Sequence, residues 1–160
     1  MAQVSAGDSH SLVLTESGEF YSFGFGVCGN LGHGDKEKQT LPKLIEAMQG
    51  KRVVQVSAGN FHSLVLTESG EVYSFGNGDD GQLGHGDTEC PTLTQLIGAL
   101  RGQRVVQVSA GYCSPLLRTE RGEASLFGVA VLRRLGADYT RQPRLASTTG
   151  EGGGPPRGAK

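Results

Sequence analysis

"VSAGNFHSLVLTESGEVYSFGNGDDGQLGHGD", residues 56–87, decides the fold, because the chain spells nearly the same string one unit earlier. Residues 4–55 lie over residues 56–107 without a gap, and 36 of the 52 positions are identical. A third copy opens at Val108 with "VSAGYCSPLLRTERGEASLFGVAVLRRLG" and has diverged. At the same offset His62 becomes Ser114, Leu66 becomes Arg118, Gly81 becomes Arg133 and Gly86 becomes Asp138. Self-similarity at a fixed period marks a repeat architecture, in which each unit buries its apolar face against the next.

Inside one unit the pattern is that of strands. "RVVQVSA" places Val54, Val56 and Ala58 on one face at period two. "HSLVLT" follows with Leu64 and Leu66 on one face, "ESGE" supplies a Gly-containing tight turn, and "EVYSF" carries Tyr73 and Phe75 on one face. Those two strands predict a hairpin. "TLTQLIGAL" fits a short helix or a strand ending in a turn; Gly98 and the β-rich surroundings favour the strand. Helical repeats of this length would need Gly-poor amphipathic runs, which the sequence lacks. The expectation is an all-β fold, a partial β-propeller built from four-stranded blades of about 52 residues. Its repeat domain covers 1–145, with repeats 4–55 and 56–107 and a degenerate repeat 108–145. The remainder, 146–160, includes "STTGEGGGPPRGAK", has no apolar periodicity and is expected to be a disordered tail.

The run "GNGDDG" fits G-x-G-x-x-G, the turn that cradles a dinucleotide pyrophosphate when a strand precedes it and a helix follows. Here "QLGHGDTECP" follows, a Gly- and Pro-punctuated loop, and the first repeat has "GFGVCG" at the same place. A loop that every unit contains explains both, so no cofactor is expected. The glycines turn the chain between strands, some at φ > 0. The structural repeat positions are Gly7, His10, Gly18, Gly24, Gly29 and Gly32, with counterparts Gly59, His62, Gly70, Gly76, Gly81 and Gly84.

Other constellations are read against the repeat. Asp79 and Asp80 could suggest calcium, but their counterparts are Val27 and Cys28. His33-x-Asp35 and His85-x-Asp87 offer only two ligands per loop, so loop hydrogen bonds are expected and no metal. His10-Ser11 and His62-Ser63 are neighbours on a strand and point to opposite faces, which argues against a catalytic pair. Phe23, Phe75 and Phe127 recur as blade core.

Charge and composition narrow the function classes. Residues 1–107 hold 7 Lys/Arg and 12 Asp/Glu, and residues 108–160 hold 8 and 4. No basic stripe tracks a phosphate backbone, so no nucleic-acid partner is expected. Cys28, Cys90 and Cys113 are far apart and form no C-x-x-C pair, which favours a reducing compartment. No run approaches the ~18 apolar residues of a membrane span, and the N-terminus lacks signal-peptide features. A cytoplasmic or nuclear protein is expected, with no membrane partner.

The quoted string resembles the repeat of the regulator of chromosome condensation family. The shared pattern is V-x-x-V-x-x-G-x-x-H-x-x-x-L, a Gly turn, then Y-x-[aromatic]-G and G-x-x-G-x-L-G. It covers residues 1–107 well and 108–145 poorly, so the chain reads as a truncated or degenerate member. The resemblance implies a seven-bladed propeller, of which fewer than three sound blades are present; a longer product or assembly with another copy of the chain would close it. It also implies a non-enzymatic scaffold for protein–protein interaction, with blade loops forming the binding surface. The alternative is a guanine-nucleotide exchange factor-like regulator of a small Ran-type GTPase, although neither gapless copy holds an inserted loop that could reach a GTPase. A light-sensing role through clustered Trp is closed to a chain with no Trp. No catalytic, cofactor or metal residues are expected. The acidic loop residues Asp35, Asp79, Asp80 and Asp87 are the expected contacts to a basic partner surface.

Overall fold

The computed structural model describes residues 3–128 and the short strand 146–148. The first repeat folds as β1 (Gln3–Ala6), β2 (His10–Leu14), β3 (Phe20–Gly24) and β4 (Gln39–Leu44), antiparallel neighbours in that order. The second gives β5 (Val53–Ala58), β6 (His62–Thr67), β7 (Val72–Gly76) and β8 (Gln95–Leu96) in the same order. The third gives β9 (Val105–Ser109), β10 (Leu116–Thr119), β11 (Ala124–Leu126) and β12 (Ala146–Thr148). Each sheet is one blade, and the fold is a partial β-propeller.

The third blade draws its last strand from the stretch expected as tail. β12 pairs with β11 through Ala124↔Thr148, Ser125↔Ser147 and Leu126↔Ala146. A strand with no apolar alternation can be held by backbone pairing alone, which composition does not reveal. The rest of that stretch, 149–160, lies outside the described residues, as do the diverged Arg133 and Asp138.

"TLTQLIGAL" resolves into both of its readings in succession. β8 is followed by a single 3-10 turn at Gly98–Leu100, and β4 by its counterpart at Glu46–Met48. Each turn buries one apolar residue, Leu100 or Met48. The edge strand β4 carries Pro42 and Lys43, residues that discourage further strand pairing.

One expected face needs correction. In β5 the buried residues are Val53, Val56 and Ala58, whereas Val54 is exposed. The register with β6 shifts between Val53 and Gln55, and this bulge breaks strict alternation. β9 repeats the arrangement, with Val105 and Val108 buried and Val106 exposed.

The core consists of two layers, each between neighbouring blades. Leu12, Leu14, Phe20, Ile45 and Met48 of the first blade pack on Val53, Val56, Ala58, Val65, Tyr73 and Phe75 of the second. Phe20 and Phe75 meet with ring centroids 6.3 Å apart and planes tilted by 52°. Leu64, Leu66, Val72, Ile97 and Leu100 of the second blade then pack on Val105, Val108, Leu117 and Phe127 of the third. Blades therefore have two faces, one toward the preceding sheet and one toward the following sheet, and β6 is buried on both.

Side chains also satisfy the backbone of the next inner strand. Gln3 Oε1 accepts from the Val56 amide at 3.0 Å, and Ser5 Oγ accepts from the Ala58 amide at 3.0 Å. One blade on, Gln55 Oε1 accepts from the Val108 amide at 2.9 Å, and Gln55 Nε2 donates to the Val108 carbonyl at 2.8 Å. Ser57 Oγ accepts from the Ala110 amide at 2.9 Å. An inner strand edge would otherwise carry orphan donors and acceptors.

Candidate partner-binding loops

The β1–β2 and β3–β4 connections of a blade emerge at one edge, tied by the Phe25 amide donating to the Ser9 carbonyl at 2.9 Å. The second blade copies the tie, Asn77 amide to Phe61 carbonyl at 2.8 Å. All four acidic residues singled out from the sequence lie in the long loops of this edge.

Those loops are built by glycine and by a serine–histidine clamp. Ser74 Oγ donates to the Leu83 carbonyl at 2.7 Å and lies 2.8 Å from His85 Nε2. The hydroxyl has one proton and gives it to Leu83, so the imidazole donates from Nε2. Ser22, Leu31 and His33 repeat the clamp at 2.7 and 2.9 Å. Burial, the largest influence on both rings, lowers the His33 and His85 pKa values and keeps these donors neutral. Gly32 turns the loop at φ +76°, and a Cβ there would stand 2.9 Å from the Phe75 ring.

The carboxylates are held by local bonds. Asp35 Oδ1 accepts from the Glu37 amide at 3.0 Å, and Asp87 Oδ1 from the Glu89 amide at 3.1 Å. Asp79 Oδ2 accepts from Asn77 Nδ2 at 3.0 Å, and the Cys90 thiol lies 3.5 Å from its Oδ1. Asn77 Oδ1 accepts from the Asp79 amide and from Gln82 Nε2, and Gln82 Oε1 accepts from the Asp80 amide. Burial, and then the hydrogen bond and charge of Asp80, raise the Cys113 pKa, leaving a thiol and not a nucleophilic thiolate. Asp79, Asp80 and Asp87 are exposed, whereas Asp35 is half-buried. Among the described residues no three His, Cys, Asp or Glu side chains converge on a metal-sized site.

Sequence reasoning missed the apolar part of this edge. Phe25 and Val27 stand exposed at the positions filled by Asn77 and Asp79 one blade on, and Tyr112 is exposed in the β9–β10 connection. Lys38 Nζ lies 5.4 Å from the Phe25 ring centroid. Repeat-to-repeat difference was the available signal: aligned loop positions that change from apolar to polar, Phe25 to Asn77 and Val27 to Asp79, are not under a common packing demand. The ion pairs Lys51–Glu71 and Arg52–Glu68 lie at the opposite edge of the blades, at 3.9 and 3.6 Å.

The adjacent His-Ser pairs do not meet each other. His10 Nε2 instead reaches Ser63 Oγ of the next blade at 2.8 Å, and Ser63 Oγ donates to the Asn30 carbonyl at 2.9 Å. The ring is a buried brace between sheets. Gly59 lies against the His62 ring so closely that a Cβ would overlap it.

Comparison with known proteins gives a consistent set of likenesses. The family model of the regulator of chromosome condensation (RCC1) repeat matches residues 17–66 and 69–113, and a second model of that repeat matches 1–30 and 53–82. The human E3 ubiquitin-protein ligase HERC2 is 42% identical over 147 residues, 89% of this chain and 3% of the relative. The dog X-linked retinitis pigmentosa GTPase regulator is 38% identical over 126 residues, 78% of this chain and 13% of the relative. The crystal structure of human WBSCR16 superposes with a TM-score of 0.77 at 32% identity, covering 90% of this chain and 38% of that one. The chain thus spans a small part of each of these relatives.

Proposed function

The chain belongs to the regulator of chromosome condensation (RCC1) repeat family, and we propose that it serves as a non-enzymatic scaffold that binds a protein partner through the loop edge of its blades. One observation carries the reading. Exposed Asp79, Asp80 and Asp87 share an edge with exposed Phe25 and Val27, so acid and apolar surface face solvent from loops pinned by their own hydrogen bonds. Pinned loops lose little freedom on binding, and a carboxylate cluster favours a basic partner surface.

The test is binding of an arginine-rich peptide to the whole chain, followed by fluorescence anisotropy at rising salt. Affinity should fall with salt and fall again in the Asp79→Asn/Asp80→Asn/Asp87→Asn variant. Binding indifferent to both would remove the acidic loops as the recognition element.

A second reading, regulation of a small Ran-type GTPase by nucleotide exchange, is favoured by the likeness to a protein named as a GTPase regulator. It predicts faster release of labelled GDP from such a GTPase in the presence of the chain. Unchanged release at micromolar protein would end that reading while leaving the scaffold intact.

A further inference from the structure

Asn77 is the one asparagine of the sequence that precedes a glycine. Gly78 is fixed by packing, because a Cβ there would overlap the Glu89 carbonyl, and the first blade has Gly26 at that position. Asn77 is under no such demand, since its counterpart is Phe25. The residues that hold its side chain are also new to the second blade: Asp79, Gln82 and Cys90 stand where the first has Val27, Asn30 and Lys38. Their contacts fall on the atoms that an attack of the Gly78 nitrogen on the Asn77 amide would use. Asn77 Oδ1 accepts from the Asp79 amide at 3.1 Å and from Nε2 of buried Gln82 at 2.7 Å. Two fixed donors on one carbonyl oxygen make an oxyanion hole. The Gly78 amide donates to Cys90 Sγ at 3.4 Å, and the Cys90 thiol donates to Asp79 Oδ1 at 3.5 Å. Asp79 Oδ2 accepts from Asn77 Nδ2 at 3.0 Å, and Nδ2 also donates to Cys28 Sγ at 4.0 Å. Nucleophilic nitrogen, thiol, carboxylate and leaving nitrogen thus form one closed circuit of hydrogen bonds.

We propose that Asn77–Gly78 is a self-modification site, at which the folded loop promotes conversion of the asparagine amide to a carboxylate. The Gly78 nitrogen bonds to Asn77 Cγ, and the electron pair of the carbonyl moves onto Oδ1, where Gln82 and the Asp79 amide receive it. Glycine leaves that nitrogen uncrowded. The Gly78 proton passes to Cys90 Sγ as the thiol proton passes to Asp79, and Asp79 Oδ2 gives a proton to Nδ2. Oδ1 re-forms its double bond, the Cγ–Nδ2 bond breaks, and ammonia leaves. The cyclic imide that remains takes up one water at either of its carbonyls and opens to aspartate or isoaspartate. Asn77 is half-buried, so water reaches the imide, and water is the only reagent consumed. Conversion replaces a donor to Asp79 with a second carboxylate, which unpins the loop and makes it more acidic.

Peptide mapping by mass spectrometry on the full chain, aged at neutral pH, tests the site. The reference is an unstructured peptide spanning residues 72–82, aged beside it. The folded chain should convert Asn77 at least about tenfold faster than the peptide, and Gln82→Ala and Cys90→Ala should each slow the chain by about tenfold or more. The sign of the change decides. Hydrogen bonds that merely restrain the side chain would make the chain slower than the peptide, and removing them would quicken it. The proposal is overturned if the folded chain converts no faster than the peptide, or if either folded variant converts as fast as the wild type or faster. Circular dichroism verifies the fold of each variant. Should Gln82→Ala not fold, Cys90→Ala decides alone, because that side chain is half-exposed in the loop.

Discussion

His10 reaches across a blade seam to Ser63, whereas His62, its repeat counterpart, has Pro115 at the position where a serine would stand. Neither nitrogen of the buried His62 ring has a hydrogen-bond partner, and His10 is left with only Nδ1 unpaired. The two seams of one short array therefore differ in whether the histidine finds a polar partner across the seam.

Ser63→Ala removes the acceptor for His10 and the donor to the Asn30 carbonyl together. The loss should be about 1–3 kcal/mol, because two buried groups are orphaned. Ser11→Ala, at the equivalent place on the first blade, should be near neutral. Urea denaturation of the two variants checks the contrast; equal losses would contradict it.

Pro115→Ser should strengthen the second seam. Giving His62 an acceptor recovers about 1–3 kcal/mol of orphaned-group cost, while removing proline loosens the unfolded chain by about 0.4–1 kcal/mol. The first effect wins, so Tm should rise by a few degrees in thermal melts. A lower Tm would mean that the proline ring itself packs the seam.

Acid should loosen the stack. Burial lowers the pKa of His62 from the ordinary 6.5 to about 4, and burial, with a smaller contribution from the charge of His62, lowers that of His10 to about 4. The unfolded chain then binds more protons than the folded one between these values. Stability is thus complete above about pH 6.5 and is lost as pH falls toward 4, by an amount on the order of 3 kcal/mol per ring. Denaturation midpoints at several pH values across that window measure it. A flat profile would show that the rings are hydrated in the native state.

Gly32 and Gly50 separate strain from collision. Both sit at positive φ, +76° and +79°, but a Cβ at Gly50 would meet nothing within 4 Å, whereas at Gly32 it would press on Phe75. Each alanine substitution should cost about 1 kcal/mol for the left-handed backbone, and Gly32→Ala should cost at least about 1 kcal/mol more for displacing a packed ring. Chemical denaturation of the pair gives the difference directly.

Blade architecture was legible because the repeat is gapless and its strands alternate; the hairpin around "ESGE" needed only local rules. The bulge at Val53–Gln55 was not, because "VV" offers two apolar residues and period two cannot say which turns inward. β12 was hidden by its composition, since its place depends on backbone pairing with β11. The acidic loop residues could be named from sequence, but Phe25, Val27 and Tyr112 could not, because an apolar residue in a loop reads equally well as buried. The brace between His10 and Ser63 joins residues 53 apart, and nothing local to either residue points to the other.

The same separation of 53 residues recurs in Gln3 with Val56, Gln55 with Val108 and Ser57 with Ala110. Each repeat thereby carries the polar groups that protect amides of its successor, not its own. Damage is consequently felt downstream of where it is made. Replacing Gln55 would leave its own strand's exchange with deuterium largely unaltered and speed it at Val108. Amide-resolved exchange would trace the chain's polarity, sheet by sheet, from that one change.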